Sequence, residues 1–397
     1  MDSLKIQELL FRNIDQIIPS KEFFLSKIEK KEKIRIYLGI DPTGPILHIG
    51  HLASLKKMKH FQEAGLEVII LMGGMTGRIG DPTGKSKTRN QLTKEDIETN
   101  ISQIKKQIEK VIKFDGENPA RIMDNYDWLS KLNFEEIISL SSNVTHEQMI
   151  ERDMFQERLK NHEPIYMHEF MYPLMQGFDS VALDTDAELG GTDQLFNMMM
   201  GRTLLKKLKN KEKFVLTVPL LTDSQGKKIG KSEGNVIPFG NDRPYETYAG
   251  MMTLGDDVII KCFVALSDTD LEEISIIETD IVKNKANPMV YKKQLAFTLV
   301  KEIYGEAEAN KCQEEFEKTV QNKEFSETQT VEVEIEGEMR ILDFLRNNLK
   351  GFSGSEIKLI IEQNGLLINS EKVKNLNETI KKGDEVKFGK KNYFKIK

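Results

Sequence analysis

Cysteine and tryptophan are scarce, at 2 and 1 in 397 residues. Cys262 and Cys312 both fall in segments with helical spacing, which argues against a disulfide framework and against a cysteine-rich metal site. That usage fits a reducing compartment. No uninterrupted apolar run is long enough to cross a bilayer, and Met1-Asp2-Ser3-Leu4-Lys5 meets an acidic residue at once, without the apolar core of a secretion signal. The expectation is a cytoplasmic protein with no membrane partner. A general excess of positive charge is also lacking: the formal charge is −6, which argues against a simple nucleic-acid glove.

What charge there is lies unevenly. Residues 340–397 carry 13 Lys and Arg against 7 Asp and Glu, a net of +6, which leaves −12 for residues 1–339. The basic tail is therefore where RNA would be sought. The length suggests two or three domains, and a hydrophobic content of 39% suffices for ordinary packed cores.

The richest stretch runs from Tyr37 to Lys85. Ile34 to Ile40 is β-branched and stops before Pro42, so it is expected to be a strand. The loop Asp41-Pro42-Thr43-Gly44-Pro45-Ile46-Leu47-His48-Ile49-Gly50-His51 feeds a helix with Leu52, Leu55, Met58 and Phe61 at helical spacing, and a second strand spans Leu66 to Met72. Strand, helix and strand in this spacing form a parallel crossover, whose ligands sit beyond the strands' carboxyl ends. His48, Gly50 and His51 would sit at the helix N-terminus, where free N–H groups and the dipole favour phosphate. The plainer alternative makes both histidines cap residues and the glycines mere turns. Far downstream, Lys227-Lys228-Ile229-Gly230-Lys231-Ser232-Glu233-Gly234-Asn235 is a basic loop after the apolar strand Phe214 to Leu221, suited to gripping and releasing a polyphosphate.

Other segments read structurally. Thr93 with Asp96 caps a helix whose Ile97, Ile101, Ile104, Ile108 and Ile112 form one core stripe. Ala120 to Met123 is strand-like, and helical pattern covers Asp127 to Leu140 and Thr145 to Lys160. Arg152, Arg158 and Lys160 read either as a solvated basic face, which spacing favours, or as an RNA contact. The Gly190-Gly191 pair before a helix suits close approach by a ligand, while Thr192 or Asp193 also serves as an ordinary helix cap. From Arg243 to about Asn322 the pattern is all helical.

His48-Ile49-Gly50-His51 matches the HIGH signature of class I aminoacyl-tRNA synthetases, and Lys228 to Ser232 resembles their KMSKS loop. Tyr37-x-Gly39-x-Asp41-Pro42-Thr43, Gly80-Asp81-Pro82-Thr83-Gly84-Lys85, Tyr172-x-x-x-Gln176-x-x-Asp179 and Gly190-Gly191-Thr192-Asp193-Gln194 narrow the likeness. Along nearly its whole length the chain resembles the bacterial tyrosyl-tRNA synthetase family.

That resemblance implies an α/β fold: a Rossmann-like, doubly wound parallel-sheet catalytic domain over 1–238, with an inserted dimer and acceptor-contact region at about 125–185 and the KMSKS-like loop at about 222–236. An all-helical anticodon-stem domain (239–322), a linker (323–338) ending in a short strand, and a small α+β S-four-like RNA-binding domain (339–397) would follow. It implies a homodimer acting on tyrosine, ATP and tRNA, with magnesium held mainly by the ATP phosphates and no dedicated protein metal site. His48, His51, Thr43, Lys85, Lys228 and Lys231 would be catalytic, with His48, Thr43 and the three lysines around the phosphates. His51, Ser54 and Asp193 would hold the nucleoside, with Gly50 and Gly191 giving it room and Lys231 also counted in the ATP site. Asp81, Tyr172 and Gln176 would take the substrate ammonium, and Tyr37 and Asp179 its phenolic hydroxyl. Tyr172, Gln176 and Asp179 share a helix face amid Phe170, Met171, Leu174, Met175 and Phe178, so these polar groups need partners that a bound amino acid would supply. Lys358, Lys372 and Lys381 would touch RNA phosphates, although a single lysine there reads equally as solvated surface charge.

Three departures stand out. Ile229 and Gly230 replace the usual Met and Ser of the loop, which implies weaker pre-organisation rather than lost activity. Ser54 replaces a common Thr, and Glu188 stands where many relatives have Gln, adding a charge whose partner the sequence leaves open. The rival reading closest in fold, a tryptophanyl-tRNA synthetase, would not be expected to carry the Tyr37 and Asp179 pair or the basic tail. A catalytically inactive RNA-binding paralogue would be expected to have lost His48, His51, Lys228 or Lys231, and all four are present.

Overall fold

The computed structural model describes residues 3–30, 32–81, 92–226, 228–229, 236–283, 285–321, 330–335, 337–349, 352–363, 365–369, 371–373, 375, 377–389 and 392–397. They form two compact units, Met1–Ala309 and Asn310–Lys397.

The first unit is built on a six-stranded sheet: β1 (Gln16–Ile18), β2 (Arg35–Ile40), β3 (Glu67–Met72), β4 (Arg121–Asp124), β5 (Ala187–Gly191) and β6 (Phe214–Val218). Their order is β1-β6-β5-β2-β3-β4. All neighbours are parallel except β1, which runs antiparallel to β6. Helices cover both faces of such a sheet, so its strands read as unbroken apolar runs; every residue of β6 and Val68 to Met72 of β3 are buried. From β2 the chain winds outward through β3 and β4, then returns to lay β5 on the other side of β2. The reversal opens a crevice beyond the carboxyl ends of β2 and β5. This is the Rossmann-like catalytic fold expected from the sequence.

Three helices shape that crevice. Ile49–Glu63 follows β2. Lys94–Ile108 starts with the expected capping box, the Asp96 N–H donating to Thr93 Oγ1 at 3.1 Å and the Thr93 N–H to the Asp96 carboxylate at 3.1 Å. Its isoleucine stripe is buried. From the same helix Gln107 accepts from the Leu47 N–H (2.9 Å) and donates to the Pro45 carbonyl (2.8 Å), while Asn100 donates to the Pro42 carbonyl (2.9 Å), so the loop after β2 is pinned along its length. Met167–Leu183 lies against Leu195–Lys209, and a Cβ at Gly177 would stand 2.8 Å from Leu204 Cδ1, which shows how close the two helices come.

The segment between β4 and Met167 is more broken than the periodicity suggests, with short helices Tyr126–Leu129, Phe134–Ser141, His146–Ile150 and Asp153–Lys160. Helices Pro244–Met252, Ile259–Leu266, Leu271–Val282 and Pro288–Tyr304 follow, and they belong to the same compact unit as the sheet.

In the second unit, helices Ile341–Asn348 and Gly354–Glu362 pack on a five-stranded sheet around Ile341, Phe344, Ile357, Leu366, Val386 and Phe394. The strand expected at the end of the linker is Thr330–Val333, laid parallel beside Asn392–Ile396. The stretch from Thr330 thus contributes to the C-terminal sheet rather than spanning freely to it.

Candidate active site

A cavity of about 760 Å³ occupies the crevice. Its lining includes Tyr37, Thr43, His48, Gly50, His51, Ser54, Asp81, Tyr172, Gln176, Asp179, Gly191, Asp193 and Lys228, all singled out from the sequence.

At its mouth stands the N-terminus of Ile49–Glu63. His48 is the cap: its Nδ1 accepts from the Gly50 N–H (3.1 Å), and His51 Nδ1 accepts from the His48 N–H (3.2 Å), with the two rings 4.0 Å apart. The plain and the functional readings of these histidines hold together, since capping aims both rings at the cavity. Gly50 is required for a reason the sequence did not show. A Cβ there would lie 2.9 Å from His48 Cε1, so a side chain at this position would push the capping ring aside.

The opposite wall is the polar face of Met167–Leu183, and its groups do have partners inside the protein. Tyr172 donates its hydroxyl to Asp41 Oδ2 (2.7 Å), and the Thr76 hydroxyl donates to Asp41 Oδ1 (2.7 Å). Asn125 donates to Thr76 Oγ1 (3.0 Å) and to Asp179 Oδ2 (3.1 Å), while the Trp128 indole donates to Asp179 Oδ1 (2.8 Å). Gln176 donates Nε2 to Glu188 Oε1 (3.0 Å), and its buried Oε1 has no partner among the described residues. At the closed end Tyr37, 1% exposed, shares a 2.9 Å hydrogen bond with Ser180. Burial, reinforced by the charges of Glu188 and Asp179, pushes the Tyr37 phenol well above its ordinary pKa, so it stays an O–H. Burial likewise lifts the Asp179 carboxyl well above the usual carboxylate range, with the Asn125 and Trp128 donors opposing it.

Glu188, whose partner was open, is paired with Lys213 at the start of β6. The Lys213 ammonium also donates to Ser180 Oγ at 2.8 Å.

Elsewhere in the lining, Asp193 lies two residues after Gly191, where a Cβ would stand 2.7 Å from the Asp193 carboxylate. Lys228 donates to Asp193 Oδ2 at 2.8 Å. The Ile229 N–H donates to the Leu221 carbonyl (2.9 Å), and further along the chain the Ile49 N–H donates to the Ile237 carbonyl (3.0 Å). A β-bridge joins His48 to Pro238. The HIGH segment is thus paired through its backbone with Ile237 and Pro238, downstream of the KMSKS-like loop, while Lys228 and Ile229 of that loop share its cavity. Lys85 and Lys231 lie outside the described residues.

Asp81 Oδ2 accepts from Gln194 Nε2 (2.7 Å), and Arg152 approaches Asp81 to 3.9 Å. This corrects the solvated-face reading for two of three basic residues. Arg152 and Arg158 are buried, and Arg158 forms a two-pronged pair with Glu169 at 2.6 and 3.1 Å; Lys160 is exposed. Among the residues proposed for RNA, Lys358, Lys372 and Lys381 are all exposed on the second unit.

Sequence reasoning assigned no role to Asp41, Thr76, Asn125, Ser180, Gln194 or Lys213. Asp41 and Gln194 lie inside quoted motifs and could have been found there. The others carry no local signal.

The sequence profile of the family described as tRNA synthetases class I (W and Y) matches residues 29–321. The chain is 38% identical over 394 residues to the tyrosine–tRNA ligase of Thermotoga maritima, covering 98% of this chain and 96% of that one. It is 40% identical over 365 residues to that of Photobacterium profundum, covering 91% and 90%. In fold it is similar to a C-terminally truncated mitochondrial tyrosyl-tRNA synthetase of Aspergillus nidulans, with a TM-score of 0.64 and 23% identity over 78% of this chain and 92% of that one. It is also similar to the Archaeoglobus fulgidus tyrosyl-tRNA synthetase solved with L-tyrosine, with a TM-score of 0.60 and 22% identity over 79% and 100%.

Proposed function

The chain belongs to the class I aminoacyl-tRNA synthetases, and within them to the tyrosine–tRNA ligases, and on that premise we propose how its cleft carries the reaction. Tyrosine is first activated with ATP: its carboxylate attacks the α-phosphate, and pyrophosphate leaves. A terminal ribose hydroxyl of the tRNA then attacks the tyrosyl carbonyl, and AMP leaves. Neither step uses a protein nucleophile, so rate comes from positioning and from charge stabilisation. The tryptophanyl and inactive-paralogue readings are not favoured by relatives matched over nearly the full length.

Three acceptors support the ammonium assignment. Tyr172 gives its proton to Asp41, so its oxygen presents lone pairs. Gln176 gives an amide proton to Glu188, which leaves its buried Oε1 as an unpartnered acceptor among the described residues. Asp81 supplies a carboxylate held by Gln194. Three acceptors match the three N–H bonds of an ammonium, whose burial demands pairing. The buried, unpartnered Gln176 Oε1 is the observation that carries the reading. At the closed end, the neutral Tyr37 O–H and the doubly hydrogen-bonded Asp179 suit a phenol that accepts from one and donates to the other. His48, His51, Thr43, Lys85, Lys228 and Lys231 are proposed at the phosphates and ribose, with Gly50, Ser54, Gly191 and Asp193 on the nucleoside. Magnesium would be held mainly by the phosphates of ATP rather than by protein side chains, and would offset their charge.

Phe134 and Met167, each 77% exposed, and the exposed Ile138 lie within the 125–185 insertion and support a homodimer through that region. Cytoplasmic residence is proposed with it.

The test is amino-acid-dependent ATP–pyrophosphate exchange with tyrosine, tryptophan and phenylalanine. Exchange with tyrosine alone is expected. Tyr37→Phe and Asp179→Asn should each lower discrimination of tyrosine over phenylalanine, and unchanged discrimination in both would refute the hydroxyl assignment.

A further inference from the structure

Lys213 does not line the cavity, yet it sits behind both ends of the proposed tyrosine site. It is wholly buried, as is Glu188 at 2% exposure. From Glu188 the hydrogen bonds run two ways. Oε1 accepts from Gln176, and Oε2 accepts from the Lys213 ammonium. That ammonium donates on to Ser180 Oγ at 2.8 Å, Ser180 meets Tyr37 at 2.9 Å, and Nζ lies 5.8 Å from the Tyr37 ring centroid. The fold makes room for this arrangement on the neighbouring helix: a Cβ at Gly201 would stand 2.5 Å from both Lys213 Nζ and Ser180 Oγ.

The proton count gives the arrangement a direction. The Tyr37–Ser180 bond can run either way. If Tyr37 donates, its O–H is spent and a substrate phenol finds only a lone pair. If Ser180 donates, the Tyr37 O–H is released from Ser180 and has the cavity and the neighbouring Glu188, which also lies within its hydrogen-bonding reach, as acceptors. Ser180 already accepts from an ammonium, which polarises its O–H and makes it the better donor. The same cation pairs with one Glu188 oxygen while the other takes the Gln176 NH2, which fixes the direction of the amide.

We propose that Lys213 is a positioning residue for amino-acid recognition: through Ser180 it aims the Tyr37 O–H at the substrate hydroxyl, and through Glu188 it orients the Gln176 amide toward the substrate ammonium. This rests on the assignment of Tyr37 to the phenol. Lys213 touches no substrate, and its effect passes entirely through the two side chains it sets.

The experiment compares Lys213→Met, Ser180→Ala, Tyr37→Phe and the charge-balanced double variant Lys213→Met with Glu188→Gln. Each is measured by thermal melting and by kcat/KM in pyrophosphate exchange with tyrosine and with phenylalanine, together with KM for ATP. Lys213→Met and Ser180→Ala are each expected to lower the tyrosine-to-phenylalanine ratio by about tenfold, the scale of one misdirected hydrogen bond, with KM for ATP unchanged. The double variant should regain thermal stability without regaining the ratio, because stability needs only charge balance while discrimination needs the donor direction. A folded double variant with the wild-type ratio would overturn the proposal. Tyr37→Phe separates the two levels: if it leaves the ratio unchanged, the assignment of Tyr37 itself falls, whereas if it lowers the ratio and the Lys213 variants do not, only the positioning role falls.

Discussion

Gly73 shows how tightly the amino-acid site is drawn. A Cβ at that position would stand 2.0 Å from Asp41 Oδ1 and 2.5 Å from Thr76 Oγ1, so Gly73→Ala must displace the carboxylate that takes the Tyr172 proton. The expected outcome is a loss of about 1–3 kcal/mol and a raised KM for tyrosine, read by thermal melting and pyrophosphate exchange. Gly44→Ala is the matched control, since its Cβ meets nothing within 4 Å. Lys213 gives a second prediction at this scale. Removing one partner of a buried pair leaves the other charge uncompensated, so Lys213→Met should cost about 3–5 kcal/mol, and adding Glu188→Gln should restore most of it; chemical denaturation checks both. Residues recruited by consecutive motifs were legible in the sequence. Asn125, Ser180 and Lys213 were not, because each acts across the fold: Asn125 reaches Asp179 over 54 positions, and Lys213 reaches Ser180 over 33. Spacing carries no trace of such pairs.

The helix Ile49–Glu63 is legible at its start and opaque further along. Its cap could be read from His48 and His51, but Lys56, Lys57, His60 and Gln62 look like a solvated face and are buried. Lys57 is covered by the N-terminal helix, donating to the Leu9 and Arg12 carbonyls, and Gln62 by the Lys113 to Asn118 segment, while Lys56 and His60 are covered by the later helical segment. Asp268, just after Ile259–Leu266, accepts from Lys56 (3.0 Å), from Lys59 and from His60 Nε2 (3.3 Å), and Lys56 also reaches Glu302. Burial alone would raise the Asp268 carboxyl, but the His60 hydrogen bond and the two ammoniums overcome it and hold the carboxyl far below the usual range. A depressed carboxylate contributes stability that is fully present above the unfolded value, about 4, and is lost as pH falls below it. Asp268→Asn should therefore cost about 1–2 kcal/mol at pH 7, a figure reduced because a third of the side chain meets water. Melting curves should show the gap between variant and parent narrowing below about pH 4 and holding steady at and above pH 7. A gap independent of pH down to 3 would mean that Asp268 is held by shape rather than by charge.

Charge and chemistry are divided across the whole molecule. The crevice lies in Met1–Ala309, which carries a net charge of −6, while residues 340–397 carry +6 and have a core of their own around Phe344 and Val386. Tyrosine activation needs only the crevice; charging needs the tRNA held while its end reaches the adenylate. A chain ended at Gln321 should therefore keep tyrosine-dependent pyrophosphate exchange and lose aminoacylation by about a hundredfold, the scale of several lost phosphate contacts. The exposed Lys358, Lys372 and Lys381 sharpen this into a count. Each lysine that neutralises a phosphate releases counterions and contributes about 0.7 to 0.9 to the slope of log affinity against log salt. Replacing all three by Gln in the full chain should flatten that slope by about 2 to 3 while leaving pyrophosphate exchange as it was. An unchanged slope would return the three lysines to ordinary solvated surface and send the search for the RNA face to the other basic residues of the tail.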